Sequence, residues 1–150
     1  MPVKPIPDGY HSVTPYLIVN DAKQALEFYK TGLGATELFR MDMGSRIGHA
    51  EVQIGDSRLM LSDEFPEAGA KSPKTLGGSP VLIHIYVENV DAFVEQAVAA
   101  GAKVIRPVAD QFYGDRSGGF EDPFGHLWHV ATHIEDVSPE EMKRRMSQMR

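Results

Sequence analysis

Residues 112–130, FYGDRSGGFEDPFGHLWHV, bring together Asp115, Arg116, Glu121, Asp122, His126, His129 and the chain's one tryptophan, Trp128. Carboxylates and imidazoles this close can transfer protons or hold a metal ion. Arg116 offers two roles. Its guanidinium can clamp a carboxylate, phosphate or phosphonate with two parallel hydrogen bonds, or it can pair with Asp115, Glu121 or Asp122 and brace the loop. The stretch also reads as a hairpin. Asp122-Pro123-Phe124-Gly125 is turn chemistry, because proline presets φ and glycine takes the strained position. His126 follows the turn directly and is assigned a structural place at a strand end. Beyond it, alternation puts Trp128 on one face and Leu127, His129 and Ala131 on the other. Trp128 is expected in the core. His129 is expected at a cleft, where it meets a ligand or bonds to a neighbour, and Tyr113 is expected to form a cleft wall.

These side chains are placed by elements that the chain writes twice. VTPYLIV, 13–19, reads as a strand and ends at Asn20-Asp21, good helix N-caps. A helix is expected over 22–31, with Ala22, Ala25, Leu26 and Tyr29 on one face and Gly32 and Gly34 ending it. VLIHIYV, 81–87, repeats the strand, and Glu88-Asn89 precedes a second helix over 90–100. Val90, Phe93, Val94, Ala97 and Val98 form its stripe, and Gly101 ends it. Strands over 37–41, 48–54 and 58–62 follow the first helix. Strands over 103–108, 118–121 and 126–132 follow the second. Each half is therefore βαβββ, and the chain is one duplicated domain, 1–150, with halves at about 10–64 and 80–135. DEFPEAGAKSPKTLGGSP, within 63–80, reads as a linker over about 65–79. Ser138-Pro139-Glu140-Glu141 starts a final helix over about 138–149. Its stripe of Met142, Met146 and Met149 suits packing on the body or on a second subunit.

Strand parity separates two surfaces. Ala50, Val52, Ile54, Leu59, Leu61, Val81, Ile83, Ile85 and Val87 make an aliphatic face for the helices. The opposite face carries His49, Glu51, Gln53, Arg58, Met60, Leu82, His84 and Tyr86. That mixture suits a concave surface with a few polar groups that orient a ligand. The alternative is a plainly solvated sheet face, for which Leu82, Tyr86 and Met60 are awkward.

Composition narrows the function classes. The net charge is -6, so the chain is a poor match for a phosphate backbone, and no nucleic-acid partner is expected. There is no cysteine, which excludes disulfides, thiolate metal sites and cysteine nucleophiles and accords with a cytoplasmic location. The opening MPVKPIPDGY has no apolar signal core, and no apolar run approaches the roughly 20 residues of a membrane helix. No membrane partner is expected.

The duplicated unit resembles the vicinal oxygen chelate superfamily of glyoxalase I, bleomycin and fosfomycin resistance proteins and extradiol dioxygenases. The likeness rests on the helix opening at Asn20-Asp21 and the Asp122-Pro123-Phe124-Gly125-His126-Leu127-Trp128 hairpin. Gly114-Asp115-Arg116, Ala131-Thr132-His133, Glu135-Asp136-Val137-Ser138 and Leu61-Ser62-Asp63-Glu64 are similar to its PhnB-like branch. The resemblance implies an α+β fold in which two βαβββ repeats form a curved mixed sheet around a cleft. It also implies a homodimer whose clefts are shared between subunits, in some relatives by exchange of half-domains. Metal-dependent members carry one ligand on the first and last strand of each half. By motif these positions fall on Thr14, Met60, Leu82 and His129, of which only His129 is a competent ligand. His84, two residues past Leu82, can stand in for it, and Glu51 is the candidate third ligand or general base. A full site for Zn, Ni, Mn or Fe is not expected.

The expected function is therefore a small-molecule-binding protein with a cleft lined by Thr14, Tyr16, His49, Glu51, Gln53, Met60, Leu82, His84, Tyr86, Tyr113, Arg116 and His129. The alternative is a metal-dependent lyase, isomerase or transferase of the glyoxalase I or fosfomycin-resistance type. A dimeric scaffold without a ligand is the plainest reading.

Overall fold

The computed structural model describes residues 2–149, so the two end residues of the expected 1–150 domain lie outside it. The first half runs β1 (Tyr16–Val19), α1 (Ala22–Leu33), β2 (Thr36–Met43), β3 (Arg46–Ile54) and β4 (Ser57–Asp63). A short helix, α2 (Pro73–Leu76), lies between the halves. The second half repeats the pattern as β5 (Leu82–Tyr86), α3 (Val90–Ala100), β6 (Lys103–Asp110), β7 (Asp115–Glu121) and β8 (Leu127–His133), and α4 (Pro139–Ser147) follows. The fold is α+β, with two four-stranded mixed sheets in the orders β1-β4-β3-β2 and β5-β8-β7-β6. The pairs β1–β4 and β5–β8, at one edge of each sheet, are parallel, and the other pairs are antiparallel.

The helices begin where their caps dictate. Asp21 accepts from the Gln24 N–H, Asn89 from Ala92 and Ser138 from Glu141, each satisfying a donor the helix cannot. The two halves also repeat a tie between helix start and strand end. The Ala22 N–H donates to Asp63 Oδ1 at 2.8 Å, and the Val90 N–H donates to Thr132 Oγ1 at 2.9 Å. Gly34, at φ 69°, caps α1 in the left-handed region. Gly32, expected outside the helix, lies inside it. A Cβ there would stand 3.0 Å from that of Ala100, so its lack of a side chain lets α1 and α3 approach closely.

One core joins the halves. Leu17, Val19, Ala50, Val52, Leu59 and Leu61 pack under α1, and Phe120, Trp128 and Val130 pack under α3. The rings of Phe28, Tyr29, Phe124 and Trp128 bridge them. Asp122, 2% exposed, accepts from the Tyr29 hydroxyl at 2.8 Å, Trp128 Nε1 at 3.0 Å and the Phe124 and His126 N–H groups. Burial and the neighbouring Asp122 carboxylate push the Tyr29 phenol well above its usual range. His126 sits 2.8 Å from the Ile18 carbonyl with its Nε2, a second link across the halves.

Several expectations need correction. Residues 13–15 and Val81 lie outside the strands, and Val81 is exposed. The linker is not irregular throughout, because Ser72 caps α2. The methionine stripe of α4 packs on the body only at Met142, which is half-buried, while Met146 and Met149 are exposed. Arg145 anchors α4 through Glu135 and the Phe112 carbonyl.

Candidate functional site

Because the helices cover one face of each sheet and meet one another, the polar faces are left open. They share no hydrogen bond among the described residues, so in a single chain the expected cleft is two separate half-sites.

The first half-site lies on sheet β1-β4-β3-β2, where Tyr16, Met60, Glu51 and Phe39 form a row by register. Tyr16 Oη is 2.9 Å from His49 Nδ1, and His49 Nε2 is 2.8 Å from Glu51 Oε2. The Tyr10 hydroxyl, from the segment ahead of β1, donates to the other oxygen of Glu51. The Arg58 guanidinium lies over the Tyr10 ring, 4.9 Å from its centroid. The Tyr10 hydrogen bond, helped by His49, outweighs partial burial and holds Glu51 below the usual carboxylate range. Burial and the Glu51 carboxylate raise the Tyr10 phenol.

The second half-site lies on sheet β5-β8-β7-β6, where His84 and His129 are register partners. Their Nδ1 atoms are 2.8 Å apart. His129 Nε2 is buried without a partner. Burial, and next the neighbouring His84, lower the His129 pKa and favour its neutral ring. Tyr86 packs edge-on against His84 and donates to Asp115 Oδ2 at 2.9 Å. Asp115 is buried, and its other oxygen meets His133 Nδ1 at 2.8 Å. His133 Nε2 meets Asp136 at 2.7 Å. Asp115, followed by Asp136, raises the His133 pKa.

A groove of about 1170 Å³ runs along β5 between the halves. Thr14, Pro15, His84, Tyr86, Trp128 and His133 are among its lining residues. Of the expected cleft residues, only Thr14, His84 and Tyr86 line this groove. Tyr16, His49, Glu51 and Met60 belong to the first open face. Leu82 and His129 share the second face with His84 and Tyr86 by register.

Gln53 is drawn to the β3–β4 turn by Gly55 and Arg58. Arg116 is withdrawn from any ligand by Asp91 and Asp110. These are not the carboxylates expected from sequence, because they approach from α3 and β6 rather than from the hairpin. Tyr113 packs on Phe112 in the turn before β7. Sequence reasoning passed over Tyr10, Phe39, Met41 and His133. His133 was within reach, since it continues the 129–131–133 parity of β8.

The expected donors, among the described residues, do not complete a metal centre within one chain. Among the described residues no three His, Asp or Glu side chains are grouped so as to hold one metal ion. His84 and His129 supply two adjacent donors where about three are normal. Glu51 is on the other sheet and is occupied by Tyr10 and His49. Thr14 and Met60 also belong to the other half, and Leu82 has no donor atom.

Comparison with known proteins agrees with the fold. An uncharacterized protein of Mycobacterium bovis, Mb0911c, is 39% identical over 140 residues, covering 91% of this chain and 92% of its own. An Arabidopsis thaliana gene product of known structure superposes with a TM-score of 0.66 at 26% identity, over 81% of this chain and 98% of its own. FosX of Listeria monocytogenes, a fosfomycin resistance protein solved with Mn(II) and sulfate, gives a TM-score of 0.62. It is 20% identical, over 91% of this chain and 97% of its own, which is a likeness of fold alone. The model of the glyoxalase/bleomycin resistance protein/dioxygenase superfamily matches residues 9–130, and the chain belongs to that family.

Proposed function

We propose that this protein binds a small molecule in the manner of the bleomycin-resistance members of its family. In this reading it acts as a homodimer, with the first half-site of one copy closing over the second half-site of the other. The observation that carries the reading is the exposure of apolar side chains beside polar networks on both open faces. Tyr16, Phe39 and Met41 are 45%, 49% and 46% exposed, and Leu82 and Tyr86 are 62% and 63% exposed. Apolar surface of this kind beside convergent hydrogen-bonding groups marks a binding or contact surface. The aromatic and histidine lining suits a conjugated organic ligand more than a simple ion. The PhnB-like wording of residues 114–138 fits this branch but names no ligand.

A screen of drugs and metabolites by thermal shift tests the proposal. A bound ligand stabilises the folded chain by mass action, by about 2.7 kcal/mol at 100 times its Kd. The expected result is a rise in Tm that is lost in Tyr86→Ala. A screen without any hit would reject ligand binding.

The adjacent His84 and His129 nitrogens favour one second reading, a metal-dependent lyase, isomerase or transferase whose remaining ligands come from the second copy. Calorimetric titration of chelator-stripped, untagged protein with Zn, Ni, Mn and anaerobic Fe(II) separates the two. Binding near one ion per chain, abolished in His129→Ala, supports the metal reading. No binding up to millimolar metal removes it.

A further inference from the structure

The hydrogen-bonded chain Tyr16–His49–Glu51 has an order that its chemistry fixes. Glu51 is held in its ionised form, and a carboxylate only accepts. His49 Nε2 must therefore carry the proton of the 2.8 Å contact to Glu51. In the neutral ring Nδ1 is then a lone pair, and the Tyr16 hydroxyl, 2.9 Å away, donates to it. The outer lone pairs of the Tyr16 oxygen are left facing the open sheet face. A base oriented by a third group and bonded to a terminal oxygen is the arrangement that activates a hydroxyl. Other groups strengthen it. Tyr10 holds the second oxygen of Glu51, and Arg58 lies over Tyr10. On β2, the neighbouring Arg40 is tied to Glu37, leaving the apolar Phe39 and Met41 as the exposed walls. The Phe39 ring lies 6.2 Å from that of His49.

We propose that this relay is a metal-free proton acceptor for a weakly acidic, conjugated hydroxyl compound such as a phenol or enol. The ligand ring lies against Phe39 and Met41 with its hydroxyl at Tyr16. The ligand O–H bond breaks and its proton forms a new bond to Tyr16 Oη. The original Tyr16 proton passes to His49 Nδ1. The products are a ligand oxyanion, hydrogen-bonded by neutral Tyr16, and an imidazolium paired with Glu51. Protons and charge balance without another reactant. The site is the first half-site of the binding reading above, and the proposal rests on that reading.

4-Nitrophenol is a direct probe, because its neutral and anionic forms absorb differently. The protein, as it exists in solution, is titrated with the probe at a pH about one unit below the probe's own pKa. The expected result is an anion spectrum for the bound probe. Tyr16→Phe keeps the ring and removes the relay. It should return the bound probe to the neutral spectrum and weaken binding by about tenfold, the worth of one hydrogen bond to a charged group. His49→Gln should do the same, while Lys23→Gln, on the exposed side of α1, should change neither. Circular dichroism verifies that each variant is folded. A bound probe with a neutral spectrum in the wild-type protein, or an anion spectrum that persists in Tyr16→Phe, overturns the relay. If the wider ligand screen still yields hits, the binding reading stands without it. If nothing binds in either experiment, both fall.

Discussion

His133 meets a carboxylate at each ring nitrogen, Asp115 at Nδ1 and Asp136 at Nε2. Both contacts are hydrogen bonds only when the ring is an imidazolium, which donates from both nitrogens. The sign of the pH effect follows. The folded-state pKa is raised above the ordinary 6.5, so folding takes up a proton between the two values. The contribution is complete below the unfolded pKa and fades as pH rises through the raised folded value. In an NMR titration His133 should titrate above 6.5, and Asp115→Asn should bring it back toward that value. At this scale the sequence was partly legible. His49, Glu51, His84 and His129 follow from strand alternation alone. The partners of Arg116 did not, because Asp91 and Asp110 reach it only after α3 and β6 are folded around it. Tyr10 left no signal, since it lies outside every strand and helix.

The elements were the most legible part, because caps and alternation are local chemistry. Asp21, Asn89 and Ser138 open their helices as read. Strand ends drifted by one to a few residues where pairing, rather than composition, decides them. Residues 42 and 43 join β2 because Asp42 and Met43 pair with Ile47 and Arg46. The turn between β7 and β8 carries more than its turn residues reveal. Asp122 serves four donors from two elements of the core and two backbone positions. Asp122→Ala would leave the Tyr29 hydroxyl, Trp128 Nε1 and the Phe124 N–H buried without an acceptor, and would free the half-buried His126 N–H as well. A loss of about 3–5 kcal/mol is expected, measured by urea unfolding. Tyr29→Phe removes only one donor and should cost about 1–2 kcal/mol.

At the scale of the molecule, the duplication was legible and the arrangement of its copies was not. Nothing in the sequence says whether two βαβββ units turn their open faces toward each other. The structure joins them through the helices, and the open faces end up apart. That separation motivates the homodimer. Light scattering should give twice the 16.6 kDa chain mass. Leu82→Asp, which places a charge on the open second face, should give the single-chain mass with unchanged circular dichroism. A wild-type monomer at working concentration would reject the shared cleft.

The core also holds an optical reporter. The chain's single tryptophan, Trp128, stacks on Phe120, bonds to Asp122 and lies 5.9 Å from the Tyr29 ring. It lines the groove along β5 but is not on the face that carries Tyr16. All indole emission therefore has one address. A molecule entering the groove shifts its wavelength, separation of the halves removes the Tyr29 ring packed against it, and occupancy of the Tyr16 face leaves its emission unchanged. Fluorescence alone thus sorts groove ligands from face ligands, with no label added.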